Sequence, residues 1–241
     1  MGFATVIDIV VDLHKSPEEF LSASNRYDKR CGTQVVRGEC VHLVEERGTW
    51  SRVEIPTQVV RHYDGHLGPW RGWIPRESVE RSVNCLCPAL NRVDMSSGIN
   101  SLREKIVSAA RKLIGSPYLW GGLSTGFNCS GLVYRVYASI GLLLPRISRD
   151  QHQQSEPVQA PLAGDLIFFA TPLKGVRHVA IWSGEEVIEA TTGGEGIVRS
   201  IPFEKKVGTS IDRVQNGEQI FKGKKIIYFG SFLARMYTQL G

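Results

Sequence analysis

Hydrophobic and polar positions along the 241-residue chain change period twice, and the change divides it in two. From about residue 34 to residue 83, short apolar or alternating runs recur: Val35-Val36, Cys40–Val44, Trp50–Ile55 and Gly72–Ile74. Turn signals at Glu46-Arg47-Gly48 and Asp64-Gly65 separate them, which predicts short strands closed into a small barrel. Ahead of these runs, Pro17–Ser24 reads as one short helix with Ser16 as its N-cap. A connector containing Pro88 and Ser96-Ser97-Gly98 follows them.

Helical spacing takes over at Ser101–Ile114, where Leu102, Ile106, Ala110 and Leu113 recur between charges and Gly115 ends the run. A loop rich in glycine and aromatic residues spans Ser116–Asn128. Cys129–Gly141 is helical again, with Leu132, Val133, Val136 and Ile140 on one side. After a loop rich in Arg, Gln and Pro, the apolar runs Asp165–Ala170, His178–Trp182, Val187–Ala190 and Ile226–Phe232 predict strands of one antiparallel sheet. The expected architecture is an all-β domain over residues 1–90 and an α+β domain over residues 91–241.

Composition bounds the function classes. With 42% hydrophobic and 22% charged residues the chain is an ordinary globular protein, neither fibrous nor disordered. A net charge of +5 suits some attraction to anionic polymers or small acidic ligands. Without a Lys/Arg run, zinc-finger spacing or an aromatic RNA-binding signature, nucleic acid is excluded as a partner. No apolar run reaches the roughly 18 to 20 residues of a membrane-spanning helix. The run Thr5–Leu13 contains Asp8 and Asp12 and lacks an upstream basic flank, so it makes a poor export signal. The cysteines, Cys31, Cys40, Cys85, Cys87 and Cys129, are odd in number. That count favours a reducing, cytoplasmic location, with the periplasm or cell wall as the alternative. Cys85-Leu86-Cys87 reads as two unrelated thiols rather than half a zinc site.

Candidate chemistry centres on Cys129. It follows a glycine-rich loop and begins a helix, where the helix dipole lowers a thiol pKa. The plainer reading is a small buried hydrophobe, the usual place of a free cysteine. A thiolate nucleophile needs a base, most often histidine. Of the six histidines, His178 begins an apolar strand run, so its ring can project from a packed strand end. A satisfied core histidine fits that position equally well. His62 and His66 flank a turn, and His152 lies in a polar loop.

Five blocks then occur in order over roughly residues 101–192. They are Gly115-Ser116-Pro117-Tyr118-Leu119-Trp120-Gly121-Gly122, Phe127-Asn128-Cys129-Ser130-Gly131, Leu144–Gln151, Ala163–Phe169 and Arg177–Trp182. Together they resemble the NlpC/P60 family of cell-wall peptidases. Upstream, Thr33–Glu39, Gly48–Val53 and Gly72-Trp73-Ile74 resemble a bacterial SH3 module. The resemblance implies a papain-like α+β core behind an SH3-like barrel. It also implies hydrolysis of peptidoglycan stem peptides or their turnover fragments between D-glutamate and a diamino acid, with no cofactor or metal.

Carried residue by residue, the resemblance makes Cys129 the nucleophile, His178 the proton carrier and Glu189 the third residue, where the family commonly has histidine. Tyr118, Trp120, Asn128, Ser130 and Ser148 fall at family positions near the substrate. Asn128 replaces an aspartate often found before the nucleophile. Ile147 stands where related recycling endopeptidases carry an aspartate for a free N-terminal amine. Either a module residue such as Glu39 supplies that charge or the preferred substrate differs. Two rivals remain: a Cys/His amidase or acyltransferase acting on a non-wall substrate, and a non-catalytic wall-binding protein. Oligomeric state is not legible in the sequence.

Overall fold

The structure, a computed structural model, describes residues 2–17, 31–82, 93–220 and 225–238. Its N-terminal region is all β: β1 (Phe3–Val6), β2 (Val10–His14), β3 (Cys31–Val36), β4 (Cys40–Arg47), β5 (Trp50–Arg61), β6 (Leu67–Pro75) and β7 (Val79–Arg81). They form one antiparallel sheet in the order β3-β2-β6-β5-β4-β1-β7. Alternate residues (Ala4, Val6, Leu13, Val35, Val41, Leu43, Val53, Ile55, Ile74) point into one apolar core. Strands β1 and β2 lie where the sequence predicts no strand. The aspartate that interrupts β2 is satisfied across the sheet, because Gln34 Nε2 donates to Asp12 Oδ1 at 2.9 Å. The helix expected at Pro17–Ser24 falls almost entirely outside the described residues. So do the expected boundary at residue 90 and the Cys85/Cys87 pair.

The second region is α+β. It comprises α1 (Gly98–Arg111), α2 (Cys129–Ala138), α3 (Ser148–Gln154), β8 (Glu156–Pro157), β9 (Leu166–Thr171), β10 (Gly175–Trp182), β11 (Glu186–Ala190), β12 (Val198–Pro202), α4 (Phe203–Val207), β13 (Glu218–Ile220), β14 (Lys225–Ser231) and α5 (Phe232–Thr238). The sheet runs β12-β11-β10-β9-β14-β13, with β8 added to β14. Its strands read as continuous apolar runs because both faces are covered. Leu166, Phe168, Val179 and Ile181 meet Leu102, Ile106, Leu132 and Val136 of α1 and α2. Ile167, Ala180, Trp182 and Phe229 meet Phe203 and Val207 of α4. Helix α1 starts three residues before the expected Ser101 and stops at Arg111. Beyond it the chain tightens into i→i+3 bonds, Leu113 N to Ala110 O and Ile114 N to Arg111 O, before Gly115 turns out at φ 88°.

Helix α3 occupies what the sequence presents as a polar loop. Its sequence has no apolar stripe, yet Asp150 and Gln151 are buried. Asp150 Oδ2 accepts from the Arg61 backbone N–H at 2.7 Å, and Gln151 Nε2 donates to Ser130 O and Pro145 O at 3.1 and 2.9 Å. Polar tertiary bonds hold this helix, not hydrophobic periodicity.

The two regions join through a buried polar network that reaches the Cys129 loop. Arg146 is 1% exposed and sits at its centre. Its Nε donates to Thr33 Oγ1 at 2.8 Å, one Nη to Gly121 O at 2.7 Å, and the other to Ser130 Oγ and Asn128 Oδ1 at 3.3 and 3.4 Å. Thr33 donates onward to Gln58 Oε1 at 2.7 Å, and Gln34 Oε1 accepts from the Leu123 N–H at 2.9 Å. A buried guanidinium stripped of such partners costs several kcal/mol, so these bonds pin the loop ahead of α2 onto the N-terminal sheet.

Candidate active site

Cys129 is the first residue of α2 and a free thiol, partly exposed. Asn128 is its N-cap, with Oδ1 accepting from the Gly131 N–H at 2.8 Å. Gly131 is required here, because a Cβ would run into the Gly122 carbonyl of the preceding loop and into the Asn128 side chain. The close packing of loop on helix start fixes where the thiol points. Burial pushes the Cys129 thiol pKa up. The hydrogen bond and charge of His178, with the Val179 and Ser130 N–H groups, outweigh that and leave it below the ordinary thiol value.

His178 lies on β10 at a register shift against β9, between Val176 and His178. Such a bulge re-aims side chains at a strand end, which is how an apolar strand delivers a ring to the thiol. His178 Nε2 meets Glu189 Oε2 at 2.5 Å. Nδ1 is therefore the nitrogen left to face Cys129, whose thiol is near enough to favour the charged ring. Burial works against the imidazolium, but hydrogen bonds to Cys129 and Glu189 and their charges push the His178 pKa up to about 9. With the thiol pKa lowered and the imidazole pKa raised, the favoured state is the Cys⁻/His⁺ pair.

Glu189 on β11 is fully buried, and its carboxylate is shared among three cations. Besides His178, Arg199 Nε and Nη2 donate to Oε1 at 3.2 and 2.9 Å, and Lys206 Nζ donates to Oε2 at 2.6 Å. Burial raises the Glu189 pKa, but His178 and Lys206 hold it far below the ordinary carboxylate range. Lys206 also stacks on Phe169, 4.8 Å from the ring centroid, and the Phe169 and His178 rings lie 5.6 Å apart.

The motif blocks include neither Arg199 nor Lys206. A signal for Arg199 existed: the Thr-Thr-Gly-Gly turn after Ala190 folds β12 back so that Arg199 pairs directly with Glu189. Lys206 comes from the short helix α4, and no local pattern points to it.

The other expected positions distribute unevenly. Ser130 is buried and Asn128 caps α2, and both side chains are engaged by Arg146. Tyr118 is buried in the core beside Phe127. Trp120, in the same loop, and Ser148, at the start of α3, are half-buried. Glu39 accepts from the Val36 N–H at 2.8 Å within its own turn. Ile147 occupies the N-cap position of α3.

A free thiol at a helix start, a strand histidine and a buried carboxylate on an α+β core define the class of site. Comparison with known proteins gives the family. Residues 115–221 match the NlpC/P60 family model. A gamma-D-glutamyl-L-lysine dipeptidyl-peptidase of Bacillus subtilis is 40% identical over 218 residues, covering 66% of this chain and 74% of that protein. The bifunctional muramidase/DL-endopeptidase CwlT of Bacillus subtilis is 32% identical over 121 residues, 48% of this chain. The chain spans 37% of the length of CwlT and 56% of a probable endopeptidase of Corynebacterium glutamicum. The crystal structure of an NlpC/P60 family protein from Bacillus cereus shares the fold, with a TM-score of 0.61 at 18% identity, covering 83% of this chain and 94% of that one. The chain belongs to the NlpC/P60 family.

Proposed function

We propose that the protein is a cysteine peptidase that hydrolyses the amide bond between D-glutamate and the diamino acid of a peptidoglycan stem peptide. One observation carries the reading: the Cys129 thiol, at a helix N-terminus, stands beside a histidine held by a buried carboxylate. The names of the relatives support the bond assignment, since one is a gamma-D-glutamyl-L-lysine dipeptidyl-peptidase.

In the first half-reaction the Cys129 thiolate adds to the scissile carbonyl carbon. N–H groups at the start of α2 are placed to stabilise the oxyanion. Imidazolium His178 gives its proton to the leaving amine as the C–N bond breaks, leaving a thioester. Neutral His178 then takes a proton from water, whose oxygen attacks the thioester and releases the carboxylic acid and the thiolate. Glu189 holds the ring and stabilises the imidazolium, while Arg199 and Lys206 position Glu189 and temper its charge.

Cys40 on β4 is disulfide-bonded, and disulfides persist in oxidising compartments. We therefore favour the periplasm or wall over the cytoplasm expected from the odd cysteine count.

Digestion of L-Ala-γ-D-Glu-diaminopimelate, with mass analysis of the products, tests the bond assignment. The expected products are L-Ala-γ-D-Glu and free diaminopimelate. Release of alanine, or an intact peptide under conditions where Cys129 is reduced, would overturn it.

A further inference from the structure

Where the N-terminal sheet meets α3, a groove of about 920 Å³ draws positive charge from both regions. Lys15 follows β2, Arg52 and Arg61 stand on β5, Arg71 on β6 and Arg149 on α3, and no carboxylate is among the lining residues. Of the nearby acids, Glu45, Glu54 and Asp150 reach Arg52, Arg71 and Arg149 at 3.6, 2.7 and 3.4 Å, and exposed Asp64, between Tyr63 and Gly65, is paired with His66 at 2.5 Å. All three of these arginines remain more than a third exposed, so the pairs are weak and open to exchange.

Arg61 differs. Its guanidinium is aimed by neutral acceptors, Gln153 Oε1 at 3.1 Å and Gly65 O at 2.5 Å, which orient it without cancelling its charge. Lys15 is exposed and has no carboxylate partner among the described residues. The rings of Trp70 and the fully exposed Tyr63 add flat apolar surface to the same groove.

A lone small anion is satisfied by one bidentate arginine or a few donors. Five cations spread over four elements instead match charges repeated along a chain. We propose that this groove binds an extended polyanion, with phosphate or carboxylate groups repeated along a sugar or polyol backbone. It would hold the protein on its polymer while the Cys129 site works on peptide. That the polymer belongs to the cell wall rests on the peptidase reading; the polyanion chemistry does not. The modest excess of positive charge in the sequence finds here a defined place on the surface.

The test is a binding titration of the full chain, read by tryptophan fluorescence, against linear inorganic polyphosphate, polygalacturonate and neutral dextran. Polyanion binding that weakens as salt rises is expected, with none to dextran. Preference for polyphosphate or for polygalacturonate identifies phosphate or carboxylate as the natural group. The Lys15→Gln/Arg149→Gln variant should bind about tenfold more weakly. The Arg111→Gln/Lys112→Gln variant on α1 changes net charge equally and should bind as wild type does. Equal losses in both variants, equal binding of dextran, or no polyanion binding would each overturn the proposal. The assay needs no cleavage, so its failure leaves the peptidase reading standing, and an inert peptidase leaves the groove standing.

Discussion

Replacing Cys129 with alanine is expected to lower kcat/KM toward the stem tripeptide by at least ~10⁴-fold, with KM little changed. In the proposed mechanism the thiolate forms the covalent bond, so its loss removes the acyl-enzyme route entirely. What remains is binding and the N–H groups of the helix start. Alanine is the best helix former, and Cys129 is the first residue of α2. The fold and the Asn128 cap therefore survive, and thermal unfolding should stay close to wild type. Cleavage at an undiminished rate would show that another group attacks the peptide. Loss of cleavage together with unfolding would leave the chemistry undecided, so Cys129→Ser, which keeps the hydroxyl in place of the thiol, belongs beside it and should be nearly as inactive.

Glu189→Ala is the second large effect, at about 10²- to 10⁴-fold in kcat/KM. Its cause differs. The carboxylate is fully buried and bonded to His178, Arg199 and Lys206. Removing it frees the imidazole to rotate and leaves two cations facing the ring with no anion between. Both changes disfavour imidazolium. The His178 pKa, pushed up to about 9 in the wild type, therefore falls, and the upper limb of the pH–rate profile moves to lower pH. The thiol pKa rises as its cationic partner weakens, so the lower limb moves up and the active window narrows from both sides. Glu189→Gln keeps a hydrogen-bond acceptor for the ring and should retain more activity, with the upper limb still lowered because the charge is gone. A Glu189→Ala enzyme working at the wild-type rate, or with an unmoved profile, would remove Glu189 from the mechanism.

What the sequence disclosed follows from which forces act locally. Helices α1 and α2 and strands β9, β10, β11 and β14 carry apolar periodicity or dense apolar runs because each buries a face in the same core. They were therefore legible within a few residues. Helix α3 was not, since Asp150 and Gln151 are buried through bonds to Arg61, Ser130 and Pro145, residues far away in the chain. Strands β1 and β2 hid behind Asp8 and Asp12, whose polarity interrupts the apolar run. Cys129 and His178 were legible as candidates through ordered motif blocks, and Glu189 through its place on the strand that follows them. The residues that tune it were not. Arg199 and Lys206 bond to Glu189, and Arg146 to the Gly121 carbonyl of the loop, so these contacts are properties of the assembled core rather than of any window of sequence.

The proposed mechanism turns on a preformed Cys129 thiolate–His178 imidazolium pair. Its most direct test is the pH dependence of iodoacetamide alkylation at Cys129, read by peptide mass mapping in the wild type and in His178→Gln. The wild-type thiol is expected to titrate below the ordinary cysteine value and to return to the ordinary range or above when His178 is replaced. A wild-type thiol that titrates like a free cysteine, or a profile indifferent to His178, would contradict it.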